Sequence, residues 1–195
     1  MVLLVCGVLM LVGAAWGVSS VFGGGSSSAL KNLPVGVEPV EQGPTPGEPD
    51  GTAESRYTLF FPRLGIRAPV VEVASDADRV LEPPVDPLLA GWWAEGAAPG
   101  AERGAALVVG HAVEGGEAVF NGVASLRAGD LVVVTGDEVV AHRVTSRVEL
   151  SPAELAQRAD ELFDQGGPAQ LVLVTCKDWD GDEFAANIVV TAVPL

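Results

Sequence analysis

Two apolar, β-branched runs in this sequence end on residues that can do chemistry. Ala169-Gln-Leu-Val-Leu-Val-Thr-Cys-Lys177 closes on Thr175-Cys176 and passes into the polar stretch Lys177-Asp-Trp-Asp-Gly-Asp-Glu183. Ala105-Ala-Leu-Val-Val109 closes on Gly110-His111. Runs of this kind read as buried strands, so one strand end carries a thiol and another an imidazole. A thiol with a base beside it is the smallest arrangement that supports covalent acyl transfer. The competing account is bland. A Cys closing an apolar strand is commonly a small buried hydrophobe, and a His in a loop is commonly a solvated side chain. The two readings part on whether the strand ends adjoin.

The elements that must position these ends follow in order. Tyr57-Thr-Leu-Phe-Phe61 reads as a strand stopped by Pro62, and Ile66 to Ala74 as a second, with Pro69 marking an edge or a bend. Glu82-Pro-Pro-Val-Asp-Pro87 and Gly96-Ala-Ala-Pro-Gly100 are loops on either side of Gly91-Trp-Trp93. The paired Trp92 and Trp93 read either as groove-lining residues or as one core and one surface ring. After the His loop, Val119, Phe120, Val123 and Leu126 share a helical spacing, which predicts a short helix over Glu117 to Leu126. Leu131 to Thr135 and Glu138 to Glu149 form a hairpin about Gly136-Asp137. His142 falls on the outward side of that second strand and reads as structural or inert. Ser151-Pro-Ala-Glu154 is a capping box with Pro at the first helical position. Its helix carries Leu155, Ala159, Leu162 and Phe163 on one face and stops at Gly166-Gly167. Asn187 to Val193 supplies a last strand. Seven or eight strands with short inserted helices, mostly antiparallel or loop-connected, point to a mostly-β barrel or sandwich.

Composition narrows the function. The chain has 195 residues and a net charge of −15, with a pI near 4.3. Nucleic-acid binding needs a basic footprint, which this chain lacks, and adhesion to anionic lipid through basic residues is excluded for the same reason. The two cysteines are Cys6 and Cys176. Cys6 lies within an apolar N-terminal run, so in an exported domain Cys176 reads as a candidate reactive thiol.

Residues Val2 to Phe22 hold no charged side chain, and the first Lys is Lys31. About 20 apolar residues span a bilayer. Residues 1–22 are therefore expected to be a single-pass anchor with the rest of the chain outside, a signal peptide cut near Gly13-Ala14-Ala15 being the alternative. Residues 23–55, rich in Gly, Ser, Pro and Glu, read as a disordered linker. Residues 56–195 are the folded domain, of ordinary size for one core. The acidic stretch Asp178, Asp180, Asp182 and Glu183 invites a calcium reading. Gly181 falls before the third Asp rather than after it, so the calcium-loop template is not met, and no metal is expected there.

Taken together, these pieces resemble the sortases, the cysteine transpeptidases of Gram-positive cell surfaces. The likeness rests on the joint order of Phe61-Pro-Arg-Leu-Gly-Ile-Arg-Ala-Pro-Val70, Gly91-Trp-Trp-Ala-Glu-Gly-Ala-Ala-Pro-Gly100, Gly110-His111, Leu126-Arg-Ala-Gly-Asp130, Leu173-Val-Thr-Cys176 and Asn187-Ile-Val-Val-Thr-Ala192. It covers Tyr57 to Pro194 and looks closest to the class E and F types of high-GC actinobacteria. The resemblance implies a closed eight-stranded barrel preceded by an N-terminal hydrophobic helix, and no cofactor. It implies Cys176 as nucleophile and His111 as acid/base. The substrates would be secreted proteins with a Leu-Pro-X-Thr-Gly-type C-terminal sorting signal. The acceptor would be an amine on a peptidoglycan precursor or a pilin.

One departure stands out. Sortases also use an arginine near the start of the last strand, and no Arg follows Cys176 here. Asn187 stands near that place and can donate a hydrogen bond without a charge. Arg63, Arg67 and Arg103 are the other candidates for holding the substrate or the oxyanion. A catalytically weak module that binds peptide tails or envelope partners is the alternative function. An L,D-type peptidoglycan transpeptidase ranks low, because that family sets His, Gly and Arg tightly about its Cys.

Overall fold

The computed structural model describes residues 55–113, 115–179 and 184–195. The expected anchor, nearly all of the expected linker and the acidic residues 180–183 lie outside them. Among the described residues no helix is long and apolar enough to cross a membrane.

Eight strands are present: β1 (Tyr57–Phe61), β2 (Ile66–Val73), β3 (Ala90–Trp93), β4 (Ala105–Gly110), β5 (Leu131–Thr135), β6 (Val139–Leu150), β7 (Gln170–Trp179) and β8 (Phe184–Pro194). They close into a barrel in the order β1-β2-β3-β4-β7-β8-β6-β5. Closure removes the exposed edges that an open sheet would present. Two of the pairings are parallel, β2 with β3 and β4 with β7. One helix, α1 (Pro152–Leu162), lies between β6 and β7 in sequence. Its capping box forms as expected: Ser151 Oγ accepts from the Glu154 backbone N–H, and the Glu154 carboxylate accepts from the Ser151 N–H.

Two apolar clusters explain the strand sequences. Leu59, Phe61, Val108, Phe120, Val132, Leu171, Leu173, Ile188 and Val190 pack in one. Leu107, Val109, Val172, Val174 and Val189 pack in the other with Leu81, Leu155, Ala159 and Phe163. Alternate residues of β4 and β7 thus feed opposite faces, the first inside the barrel and the second beneath α1. With both faces covered, β4 reads as an unbroken apolar run and all six of its residues are buried.

Four expectations are corrected. Cys176 does not end its strand, because β7 continues to Trp179 and pairs there with Phe184 of β8 in a hairpin. The helix over Glu117 to Leu126 reduces to a single 3-10 turn, Val123–Ser125. Gly122, at φ 136°, breaks any continuous helix there, and the Asn121 side chain ties the stretch into a loop through Val113 N–H and Gly116 O. His142 does not point outward. It is 2 % exposed, and its register partner Val132 belongs to the barrel interior. Pro69 is not on an edge strand, since β2 pairs on both sides. The ladder with β3 begins only at Val70, so at Pro69 itself β2 has a neighbour on one side alone.

Candidate functional site

The parallel pairing of β4 with β7 builds the site. Its last register pair is Val109 with Val174. His111 lies two residues beyond the first, just past the end of β4, and Cys176 lies two residues beyond the second, still within β7, so the two chemistry-bearing residues stand at the same level of the barrel. Neighbouring strands run about 4.8 Å apart. Thr175 locks this level: its Oγ1 donates to the Gly110 carbonyl at 2.7 Å, and the bond is buried. The two carriers are 65 residues apart in sequence and joined by one hydrogen bond in space.

Cys176 shares a strand face with Val174 and Val172, the face beneath α1 rather than the barrel interior. A small pocket of about 200 Å³, counting the space open to solvent, sits over it. The lining is Leu81, Pro83, Val109, Gly110, Val174, Thr175 and Cys176. It is almost wholly apolar apart from the sulfur and the Thr175 hydroxyl. Across the β7–β8 ladder, Asn187 stands directly opposite Cys176 and is 1 % exposed. Leu150 of β6 is in turn the register partner of Asn187. The His111 ring is half-buried, and its Nε2 is 2.8 Å from the Pro84 carbonyl oxygen.

The other candidates from sequence lie elsewhere. Arg63 donates to Asp130 Oδ2 at 2.8 Å and to both oxygens of Ser125. The Arg67 guanidinium lies 4.5 Å over the Phe60 ring. Arg103 precedes β4 at the end opposite to His111, and it donates to the Gly166 carbonyl at 2.9 Å. Trp92 and Trp93 run from the Ala90–Gly110 pair away from His111. Trp92 packs edge-on to Tyr57 and donates to Ala97 O, while Trp93 donates to Glu95. Both have structural occupations. Lys177, next to Cys176, turns to the other strand face and pairs with Glu149 at 2.9 Å. The residues that sequence reasoning missed are Leu81, Pro83 and Pro84. Their signal was a Pro-rich loop; nothing local shows that it folds back over the ends of β4 and β7. Among the described residues no cluster of His, Cys, Asp and Glu can hold a metal ion.

A family model for the sortase domain matches residues 59–195. The chain belongs to the sortase family. Solved sortases share its fold at low identity. Sortase C-1 from Actinomyces oris is 16 % identical at a TM-score of 0.58, over 74 % of this chain and 76 % of that one. Sortase C-1 from Streptococcus pneumoniae is 20 % identical at 0.57, over 73 % and 67 %. A lid mutant of sortase A from Corynebacterium diphtheriae is 14 % identical at 0.56, over 75 % and 73 %. No curated protein matches the chain. In this sortase, then, Cys176 and the end of the His strand are neighbours, and the place across from the Cys is held by a neutral amide.

Proposed function

We propose that this sortase is a cysteine transpeptidase acting on secreted proteins with a Leu-Pro-X-Thr-Gly-type sorting signal. The observation that carries the reading is the placement of His111 and Cys176 at one level, each two residues past the last register pair of the parallel strands β4 and β7. Reduced Cys176, as thiolate, attacks the carbonyl carbon after the Thr of the signal. His111 protonates the departing amine, and a thioacyl-enzyme remains. An amine of a peptidoglycan precursor or a pilin then attacks the thioester and regenerates the thiolate. The side chains of Leu81, Pro83, Val109 and Val174 give the surroundings of Cys176 an apolar lining. Asn187 takes the oxyanion or substrate-holding place opposite the sulfur. The apolar residues 1–22 hold the chain to the cell membrane, with residues 56–195 outside, and the class E or F type is the best match to its motifs.

The neutral Asn187 across from Cys176 favours one second reading, a sortase-fold module of feeble activity that binds peptide tails. One experiment separates the two. The reduced protein is incubated with Leu-Pro-X-Thr-Gly and Leu-Ala-X-Thr-Gly peptides and followed by mass spectrometry, beside Cys176→Ala and His111→Ala. An acyl adduct on the wild type that Cys176→Ala lacks is the expected outcome. Absence of adduct and cleavage across the panel, in a folded protein whose reduced Cys176 resists alkylation, would leave the binding module standing.

A further inference from the structure

The His111 ring is anchored on a backbone carbonyl. Its Nε2 lies 2.8 Å from the Pro84 oxygen. A carbonyl oxygen offers lone pairs and no proton, so Nε2 is the donor. The Nε2 proton is therefore kept in the neutral ring as well as in the charged one, and Nδ1 is the nitrogen at which a proton comes and goes. We propose that Pro84 is a positioning residue: its carbonyl fixes the tautomer of His111, so that every proton exchanged in acyl transfer passes through Nδ1. This rests on the acyl-transfer reading above and adds the group that orients its base.

The segment bearing that carbonyl is held at both ends. Upstream, Leu81 is 1 % exposed and packs in the cluster beneath α1. Pro83 and Pro84 have fixed φ and no N–H, and each restricts the residue before it to extended backbone. Downstream, Asp86 closes a turn by accepting from Leu88 N–H through its side chain and from Leu89 N–H through its carbonyl. The Pro87 carbonyl then accepts from Val119 N–H at 2.8 Å, and the adjacent Phe120 N–H donates to the His111 carbonyl at 2.9 Å. A closed circuit results. One arm reaches the His111 ring through Pro84, the other reaches the His111 backbone through Phe120, and Pro87–Val119 joins them. In Ser-His-Asp triads a carboxylate orients the ring. Here a main-chain oxygen stands in that place.

The proton accounting is consistent with this. The thiolate attacks the carbonyl carbon and a C–S bond forms. As the C–N bond breaks, the leaving amine takes the Nδ1 proton, and the ring is left neutral with Nε2–H on Pro84 O. The acceptor amine attacks the thioester, returns a proton to Nδ1 and expels the thiolate.

The test uses the full chain, reduced and 15N-labelled. Its two histidines, His111 and His142, are told apart with a His111→Gln control. Long-range 1H–15N correlation at a pH where the rings are neutral is expected to show His111 with a protonated Nε2 and a bare Nδ1. An Nδ1–H tautomer, or a mixture, overturns the proposal. In a second arm the Pro84–Val85 amide becomes an ester, by placing the α-hydroxy analogue of the exposed Val85. This weakens the Pro84 acceptor while sparing every side chain. The expected result is a shift toward mixed tautomers together with a roughly tenfold slower acylation at little change in KM. A tautomer and a rate that both ignore the ester overturn the proposal. An Nε2–H tautomer in a chain that forms no acyl adduct upholds the Pro84 contact and overturns the acyl-transfer reading instead.

Discussion

Asn187 of β8 is the direct register partner of Cys176 of β7. Paired residues of an antiparallel ladder share a face, with Cβ atoms about 5 Å apart. The Asn187 side chain therefore leaves the sheet on the same face as Cys176, one strand away. Its substitution tests whether a neutral donor suffices. Asn187→Ala is expected to slow single-turnover acylation by roughly 100-fold, the usual effect of losing one oxyanion donor. Asn187→Asp is expected to slow it at least as much, since an ionised carboxylate donates no hydrogen bond and repels a thiolate. Rates equal to the wild type in both variants would remove Asn187 from the mechanism.

Gly110 separates the His111 ring from the buried end of β4. A Cβ there would stand 2.7 Å from Phe120 Cδ2 and 2.9 Å from Phe120 Cγ, deep in the barrel interior. Gly110→Ala is expected to destabilise by about 1–3 kcal/mol, the range for overpacked cores, and to slow acylation by displacing the residue that follows. The urea midpoint and the acylation rate, measured on the same preparation, check both parts. A wild-type midpoint would show that Phe120 yields at no cost.

His142 makes stability depend on acid. Burial holds its imidazole below the ordinary 6.5, a hydrogen bond with the Val140 backbone acting the other way. Its Nδ1 is buried without a hydrogen-bond partner. The folded chain thus refuses a proton that the unfolded chain accepts. This contribution is present in full above the unfolded value near 6.5 and is lost as pH falls below it. Urea midpoints are expected to hold above pH ~7 and to fall toward pH ~5, more steeply in the wild type than in His142→Leu. Equal slopes would assign the acid sensitivity to other groups.

Local sequence carried the chemistry further than it carried the architecture. The end of β4 was legible because a buried strand that meets solvent changes from β-branched to polar within one or two residues; the same change after Cys176 misled, because β7 runs on to Trp179 in its hairpin with β8. The α1 start was legible because a capping box is entirely local. The adjacency of β4 and β7 was not, since a parallel register between segments 65 residues apart leaves no mark on either. β3 was missed because four residues give too short a pattern. The spacing of Val119, Phe120, Val123 and Leu126 imitated a helix because all four are buried, yet a looped segment interrupted at Gly122 meets that need equally well. His142 misled because its strand hides the imidazole and shows valine: Val139 is 70 % exposed while His142 is 2 % exposed. The arginine candidates were chosen by charge, and charge does not reveal that Arg63 is already engaged by Asp130.

The segment that separates the ends of β4 and β7 in the chain contains β5, β6 and α1. Those strands must take their places before β8 can bridge β6 and β7 and complete the ring. Such long-range pairing is slow to form. A newly made chain consequently keeps its thiol and its imidazole apart until β7 pairs with β4. The two reacting groups would then meet only when β7 lies down beside β4, and the onset of acylation would serve as a clock for that pairing.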